Sequence, residues 1–293
     1  MKRYIAFDVG GTKIKHGILN EKGDIIEKGK YNTKYKQLDE FVDMMEKVIK
    51  QYISKYDIEG IAISLPGFID YNTGYSVKAG AIECLNGKNL KEILEKELNL
   101  PVEIENDANC AGLAEKFNGN AVGCNDFICM TVGTGIGGAV IVDGNIVHGH
   151  GFRGGELGFM INNDDKLMMN ENSSTGTLVR EYKKYKKMDE ECLVEGYEVF
   201  KEAEKDENVN KMIENLFDRI SRGIFNLAVI LDPEKILLGG GISEREGFIE
   251  KIEEKLYGYK EWENVKVDIG LCKHGNDAGL IGAVYNFIKR HGK

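Results

Sequence analysis

The strongest constraint on this chain is a short motif that occurs twice. Asp8-Val-Gly-Gly-Thr12 in the first half is matched by Thr131-Val-Gly-Thr-Gly135 in the second. Each follows a short apolar run, Tyr4 to Val9 and Phe127 to Val132, that reads as a buried strand. Each then enters a further apolar segment, so both halves begin strand, glycine turn, strand. This self-similarity predicts duplicated α/β domains facing each other across a cleft. A chain of 293 residues is long enough for two cores. Asn118-Gly-Asn120 places the expected boundary near 118, giving domains over 1–118 and 119–293, with the terminal helix packing back on the first.

The periodicity between the motifs fits this frame. Lys13 to Leu19 and Ile25 to Tyr31 read as strands joined by a turn at Asn20 to Asp24. Leu38, Phe41, Val42, Met45, Val48, Ile49 and Tyr52 recur at helical spacing. Strands are expected at Gly60 to Leu65 and Pro101 to Ile104, with helices at Leu90 to Leu98 and from about Asn106. In the second half, Ala139 to Val142 and Lys235 to Leu238 read as strands. Val209 to Leu231 and Asp277 to Lys289 read as helices, the former stopped by Asp232-Pro233.

Composition narrows the function classes. The chain has 36 glycines but only 3 prolines, and glycine at about 12% exceeds the usual ~7%. No collagen-like period explains the surplus, which therefore marks turns where backbone approaches something closely. A net charge of −9 disfavours nucleic acid or an anionic membrane as the main partner. The start meets Asp8 too early for a signal peptide. Cysteines 84, 110, 124, 129, 192 and 272 include no Cys-x-x-Cys, as expected for reduced thiols of a cytoplasmic protein.

The chemistry-bearing segments are local. In Asp8-Val-Gly-Gly-Thr12-Lys13, glycines let backbone N–H groups face an oxyanion. The Thr12 hydroxyl adds a donor, and Asp8 suits a magnesium ion through water. A plain hairpin would serve the same sequence. The second turn, Gly133 to Gly138 with Thr134 and Gly135, makes an anion site more specific, as does a third loop, Gly239-Gly-Gly241, suited to an adenosine. Asp107 in Glu105-Asn-Asp-Ala-Asn109 follows a strand and opens a helix; it reads equally as part of an N-cap or as a general base. His148, His150 and Glu156 are too few and too flexibly spaced for a metal site, and Glu156 better suits sugar hydroxyls.

Taken in order, Phe7-Asp-Val-Gly-Gly-Thr-Lys13, Ser64-Leu-Pro-Gly67, Glu105 to Asn109, Gly133 to Gly138, Gly155-Glu-Leu-Gly158, Gly239 to Gly241 and Asn276 to Ala283 resemble the ROK family of sugar kinases and repressors. The resemblance implies an actin–hexokinase-like fold of two RNase H-like domains, ATP with magnesium, a sugar substrate and a homodimer. It implies Asp107 as catalytic base, and Gly67, Asn106, Asp107 and Glu156 at the sugar. It implies Asp8, Gly10, Gly11, Thr12, Lys13, Thr134 and Gly135 at phosphate, and Gly239, Gly240 and Gly241 at adenosine. Repressor members carry a DNA-binding domain before the first motif, which here starts at residue 7, so a kinase is expected.

Two departures from the family pattern stand out. Phe159 replaces a zinc-binding histidine, and the zinc cysteines are absent from 160–175. Zinc is therefore not expected, and Phe159, Ile161, Leu167 and Met168 are expected to organise that loop by apolar packing. Glu171 is the candidate second sugar glutamate. The zinc-less pattern resembles N-acetylmannosamine kinases of sialic acid breakdown and β-glucoside kinases. Overall resemblance favours the former, implying phosphorylation of the N-acetylmannosamine C6 hydroxyl, with β-glucoside kinase or glucokinase as the alternative. A sugar-binding regulator without catalysis is the reading of a different class, and the intact Asp107 argues against it.

Overall fold

Strands form where the apolar runs predict them. The computed structural model describes residues 1–33, 36–163 and 166–292. Its first half runs β1 (Arg3–Val9), β2 (Lys13–Asn20), β3 (Ile25–Asn32), α1 (Leu38–Ile53), β4 (Gly60–Leu65), β5 (Phe68–Asp70), β6 (Tyr75–Lys78), β7 (Lys88–Asn89), α2 (Leu90–Leu98), β8 (Val102–Asn106) and α3 (Asp107–Asn118). The second half runs β9 (Phe127–Val132), β10 (Ile136–Val142), β11 (Asn145–Ile146), α4 (Met169–Asn172), α5 (Thr175–Lys186), α6 (Gly196–Ala203), α7 (Glu207–Leu231), β12 (Lys235–Gly239), α8 (Phe248–Tyr257), α9 (Trp262–Val265), β13 (Asp268–Leu271) and α10 (Ala278–His291).

Contacts divide the chain into two compact units. One comprises 1–123, 146–154 and 276–293; the other comprises 124–145 and 155–275. The division falls at 123 rather than 118 because the residues after α3 still hydrogen-bond to it. Gly119 N and Ala121 N donate to the Glu115 carbonyl, and Asn120 N donates to Glu115 Oε2 at 2.8 Å.

In the first unit the main sheet has the order β3-β2-β1-β4-β8. β1, β2 and β3 pair antiparallel, whereas β1, β4 and β8 are parallel. β1 is buried on both faces: Ile5, Phe7 and Val9 join one apolar cluster, Tyr4 and Ala6 another. α1 covers the first face through Phe41, Val42, Met45, Val48, Ile49 and Tyr52, the residues whose spacing predicts it. α3 and α10 cover the second, through Cys110, Ala114, Leu280, Val284 and Phe287. Each large apolar side chain withdrawn from water contributes about 1.5–3 kcal/mol. Buried Glu103 on β8 anchors the end of α10 by an ion pair to Arg290 and a hydrogen bond with His291.

The second unit repeats the pattern. Its sheet is ordered β11-β10-β9-β12-β13, with β9 and β10 antiparallel and β9, β12 and β13 parallel. In both sheets the glycine turn joins the first strand to its antiparallel neighbour. α7 buries Val209, Ile213, Leu216, Phe217, Ile220, Ile224 and Leu227 in this unit's core. Several details differ from expectation, among them β13 and the helices α5, α6 and α8, which the periodicity did not announce. β10 begins at Ile136, three residues early, because Gly137 and Gly138 are strand residues. A Cβ on Gly138 would collide with the Leu157 side chain, so the glycine admits that neighbour. β5, β6 and β7 form a small antiparallel sheet whose two- to four-residue strands are too short to show a period.

The contact between α10 and α3 is close enough to test. A Cβ on Gly282 would run into the Cys110 backbone carbonyl. Gly282→Val is expected to lose roughly 1–3 kcal/mol of stability from overpacking, read as a lower urea midpoint. An unchanged or higher midpoint would contradict this helix crossing.

Candidate active site

Parallel pairing brings three strand ends of the first unit to one level. Asp8 on β1 lies opposite Ser64 on β4, which lies opposite Glu105 on β8. Ser64 Oγ donates to Asp8 Oδ1 at 3.0 Å, and Lys15 Nζ to Asp8 Oδ2 at 3.1 Å. The Gly10 to Lys13 turn begins just beyond: Gly10 N donates to Lys13 O, and Thr33 Oγ1 to Gly10 O at 2.7 Å. Gly11, Thr12 and Lys13 are exposed, so their donors are accessible.

Asn106 ends β8 and caps α3. Its Oδ1 accepts from Asn109 N at 3.0 Å, and its Nδ2 donates to the Gly67 carbonyl at 2.9 Å. The cap reading of this segment therefore belongs to Asn106, leaving Asp107 as the first residue of the helix. Asp107 Oδ1 accepts from Ala108 N at 2.9 Å. Solvent reaches the Asp107 side chain, although protein crowds it on its other sides. That desolvation raises the pKa above the ordinary aspartate value; the Ala108 hydrogen bond opposes it, and the Asp8 charge adds to it. A carboxylate of raised basicity, open to solvent beside hydrogen-bonding groups, is suited to accept a proton.

Sequence reasoning passed over the partners behind this edge. Glu105 is only 1% exposed, and His148 Nε2 lies 2.8 Å from its Oε2. The His148 ring stacks on Tyr71, with centroids 3.7 Å apart. Lys15 and Ser64 complete the surroundings of Asp8. Only the apposition of distant strands exposes these roles.

The second unit holds a cavity of about 940 Å³. Thr134 and Gly241 line it, together with Thr175, Gly176, Tyr197 and Arg245. Gly240, at φ +88°, has no room for a Cβ against the Val132 carbonyl, so the third loop lies tight on β9. That loop continues as a short 3-10 turn, Gly241–Glu244, and the α-helix begins only at Phe248. The Gly133 turn is held to the start of α5, where Thr175 N donates to Gly133 O at 2.8 Å. A helix N-terminus with glycine backbone beside it favours an anion, and the volume suits a nucleotide. The walls from α5 and α6 went unnoticed because their residues carry no motif.

Glu156 immediately precedes a 3-10 turn, Leu157–Phe159. Glu171 sits in α4, where its Oε2 accepts from Met168 N at 2.9 Å. The expected apolar organisation of this loop is corrected: Phe159, Ile161 and Leu167 are exposed, at 48%, 61% and 41%. Polar groups take the interior instead. Asn170 Oδ1 accepts from Ile136 N at 2.7 Å, Arg219 donates to Asn172 O at 2.8 Å, and Ser173, Ser174 and Thr177 are buried. Among the described residues, no helix is long and apolar enough to cross a membrane.

The ROK family model matches residues 4–290. The chain is 35% identical to a β-glucoside kinase of Listeria monocytogenes over 295 residues, covering 98% of each protein. It is also 35% identical to a β-glucoside kinase of Klebsiella pneumoniae, covering 96% of this chain and 95% of that protein. A solved Listeria monocytogenes structure, proposed as an N-acetylmannosamine kinase, matches with TM-score 0.91 at 35% identity, covering 99% of this chain and 100% of the other. A ROK glucokinase of Streptomyces griseus, solved with glucose and AMPPNP, matches with TM-score 0.81 at 26% identity, covering 96% and 98%. The chain belongs to the ROK family. It is a sugar kinase with the family's actin–hexokinase-like fold.

The raised Asp107 pKa has a stability consequence with a defined sign. The folded state holds the Asp107 proton more tightly than the unfolded chain does. The resulting stabilisation is present below the ordinary value of 3.8 and lost as pH rises through the folded pKa. At neutral pH the ionised carboxylate therefore opposes folding. Asp107→Asn is expected to melt higher than wild type at pH 7, with the difference fading toward pH 3. A lower melting temperature at pH 7 would overturn this assignment.

Proposed function

We propose that the chain transfers the γ-phosphoryl group of ATP to the C6 hydroxyl of its sugar, with Asp107 as general base. The observation that carries this reading is the open, basic carboxylate of Asp107 next to Asn106 at the end of β8. As the C6 oxygen attacks the γ-phosphorus, Asp107 takes its proton and the bond to ADP breaks. Asn106, the Gly67 loop, Glu156 and Glu171 hold sugar hydroxyls in this reading. Glu171 Oε2 already caps α4, so Glu171 binds sugar through its remaining acceptor capacity. The turns at Gly10 to Lys13 and at Thr134 and Gly135 hold phosphates by backbone and hydroxyl donors. Gly239 to Gly241 and the cavity beside Gly241 take the adenosine.

Magnesium accompanies ATP in this reading. The residues fit it: Asp8 offers a partly exposed carboxylate at a strand end. Such an ion keeps most of its waters and needs one or two carboxylates beside the phosphates. When bound, it neutralises charge building on the transferring group. Asp8 would hold it through water, sharing its carboxylate with Lys15.

Two substrate classes fit. β-Glucosides are the reading we favour, because two full-length relatives at 35% identity carry that activity in their names. N-Acetylmannosamine, the sugar implied by the family resemblance and a step in sialic acid breakdown, is supported by the structure matched at TM-score 0.91. ADP release measured with cellobiose, methyl β-glucoside, N-acetylmannosamine, N-acetylglucosamine and glucose decides between them. The highest kcat/KM is expected with a β-glucoside; N-acetylmannosamine in first place would promote the second reading. Asp107→Asn is expected to lower kcat by roughly 10²–10⁴-fold while ATP binding persists. Wild-type turnover in that variant would remove Asp107 from the base role.

A further inference from the structure

The loop 146–154 belongs to the first unit by its contacts, although the residues flanking it belong to the second. Its attachment is specific. His148 bonds Glu105 and stacks on Tyr71, whose ring meets Phe152 edge-on, and Arg153 lies over the Phe68 ring at 5.3 Å. The histidine thus reaches the buried carboxylate of Glu105, which bonds the Asn106–Asp107 turn.

Glu105 is almost wholly buried and is bonded on both oxygens. Oε1 accepts from Asn106 N at 2.8 Å and from Asn109 Nδ2 at 2.9 Å, and Oε2 faces His148 Nε2 at 2.8 Å. An ionised carboxylate only accepts hydrogen bonds. Toward such a carboxylate His148 donates through Nε2, and with Asn106 N and Asn109 Nδ2 it makes three donors around the buried Glu105 side chain. Loss of His148 would leave Oε2 without that donor, which is costly in the interior. The carboxylate would then turn to recruit another donor. That turn disturbs the Asn106 backbone amide and the Asn109 side chain, the groups that set the first turn of α3.

We propose that His148 is a positioning residue for the reaction. Acting through Glu105, it fixes the Asn106–Asp107 turn so that the base and the sugar-binding amide keep their relative placement. His148 itself touches neither ATP nor the sugar. The kinetic part of this proposal rests on Asp107 being the base; the structural part does not. Small misplacement of reacting groups is expensive, because the geometry of a phosphoryl transfer tolerates little displacement.

The test compares His148→Leu, which removes the donor, with His148→Gln, which restores an N–H near the position of Nε2. Glu105→Gln and the Glu105→Gln/His148→Leu double variant complete a cycle. The measurements are kcat, KM for sugar and for ATP, and amide hydrogen exchange over residues 105–110. His148→Leu is expected to lower kcat by roughly 10–100-fold, with KM for ATP unchanged and faster exchange at 106–110. His148→Gln should recover most of both effects. In the double variant, His148→Leu should add little to Glu105→Gln. Wild-type kcat and exchange in His148→Leu would overturn the proposal. So would failure of a folded His148→Gln to recover them, or full additivity in the double variant. If His148→Leu does not fold, the Gln variant and its exchange pattern still decide. If the wild type phosphorylates no sugar, the base assignment fails separately, and exchange alone judges the positioning role.

Discussion

The parallel register of β1, β4 and β8 is the constraint on which the candidate site of the first unit depends. It sets Asp8, Ser64 and Glu105 side by side, with the Asn106 cap one residue further on. The register is firmly held because β1 and β4 are buried along nearly their whole length. A slip of one residue would exchange the apolar sets between the two faces. Chemistry is thereby concentrated at the strand ends, where the backbone turns outward and polar side chains need not be buried. Ser64 and Glu105 are the exceptions. Both are buried, and Glu105 meets three hydrogen-bonding partners beneath the turn.

The second unit uses the same strand order for a different task. Its glycine turn carries no acidic residue equivalent to Asp8, and what surrounds that turn is backbone, a helix start and a cavity. Close packing makes this possible. Glycine at 138 and 240 admits neighbours that any side chain would displace. The two glycine turns thus differ: one has an aspartate at its start, the other a threonine.

Much of this was legible in the sequence because it depends on local pattern. The α1 helix is read from seven apolar positions, and six of them are buried. The length of α7 follows from the same rule and from Asp232-Pro233 after it. Sequence reasoning failed where pattern is short or misleading. The β5–β7 strands are too brief to show alternation. The run of Phe159, Ile161 and Leu167 invited an apolar reading, yet all three are exposed while Ser173, Ser174 and Thr177 are buried. Hydrophobicity alone does not decide which side of an irregular loop faces inward; the hydrogen-bond partners available beneath it do.

By itself, the sequence determined the duplicated α/β plan and the glycine turns, because each is written in residues close together along the chain; Asp107 as a candidate base came from the family resemblance. Tertiary structure alone decided that crowding raises the pKa of Asp107 and that His148, 43 positions away, meets Glu105. A pKa or a buried charge is set by whatever surrounds it in space, and periodicity along one element reports only that element's own faces. Local pattern names the groups that can react; packing from distant segments sets how basic they are and where they stand.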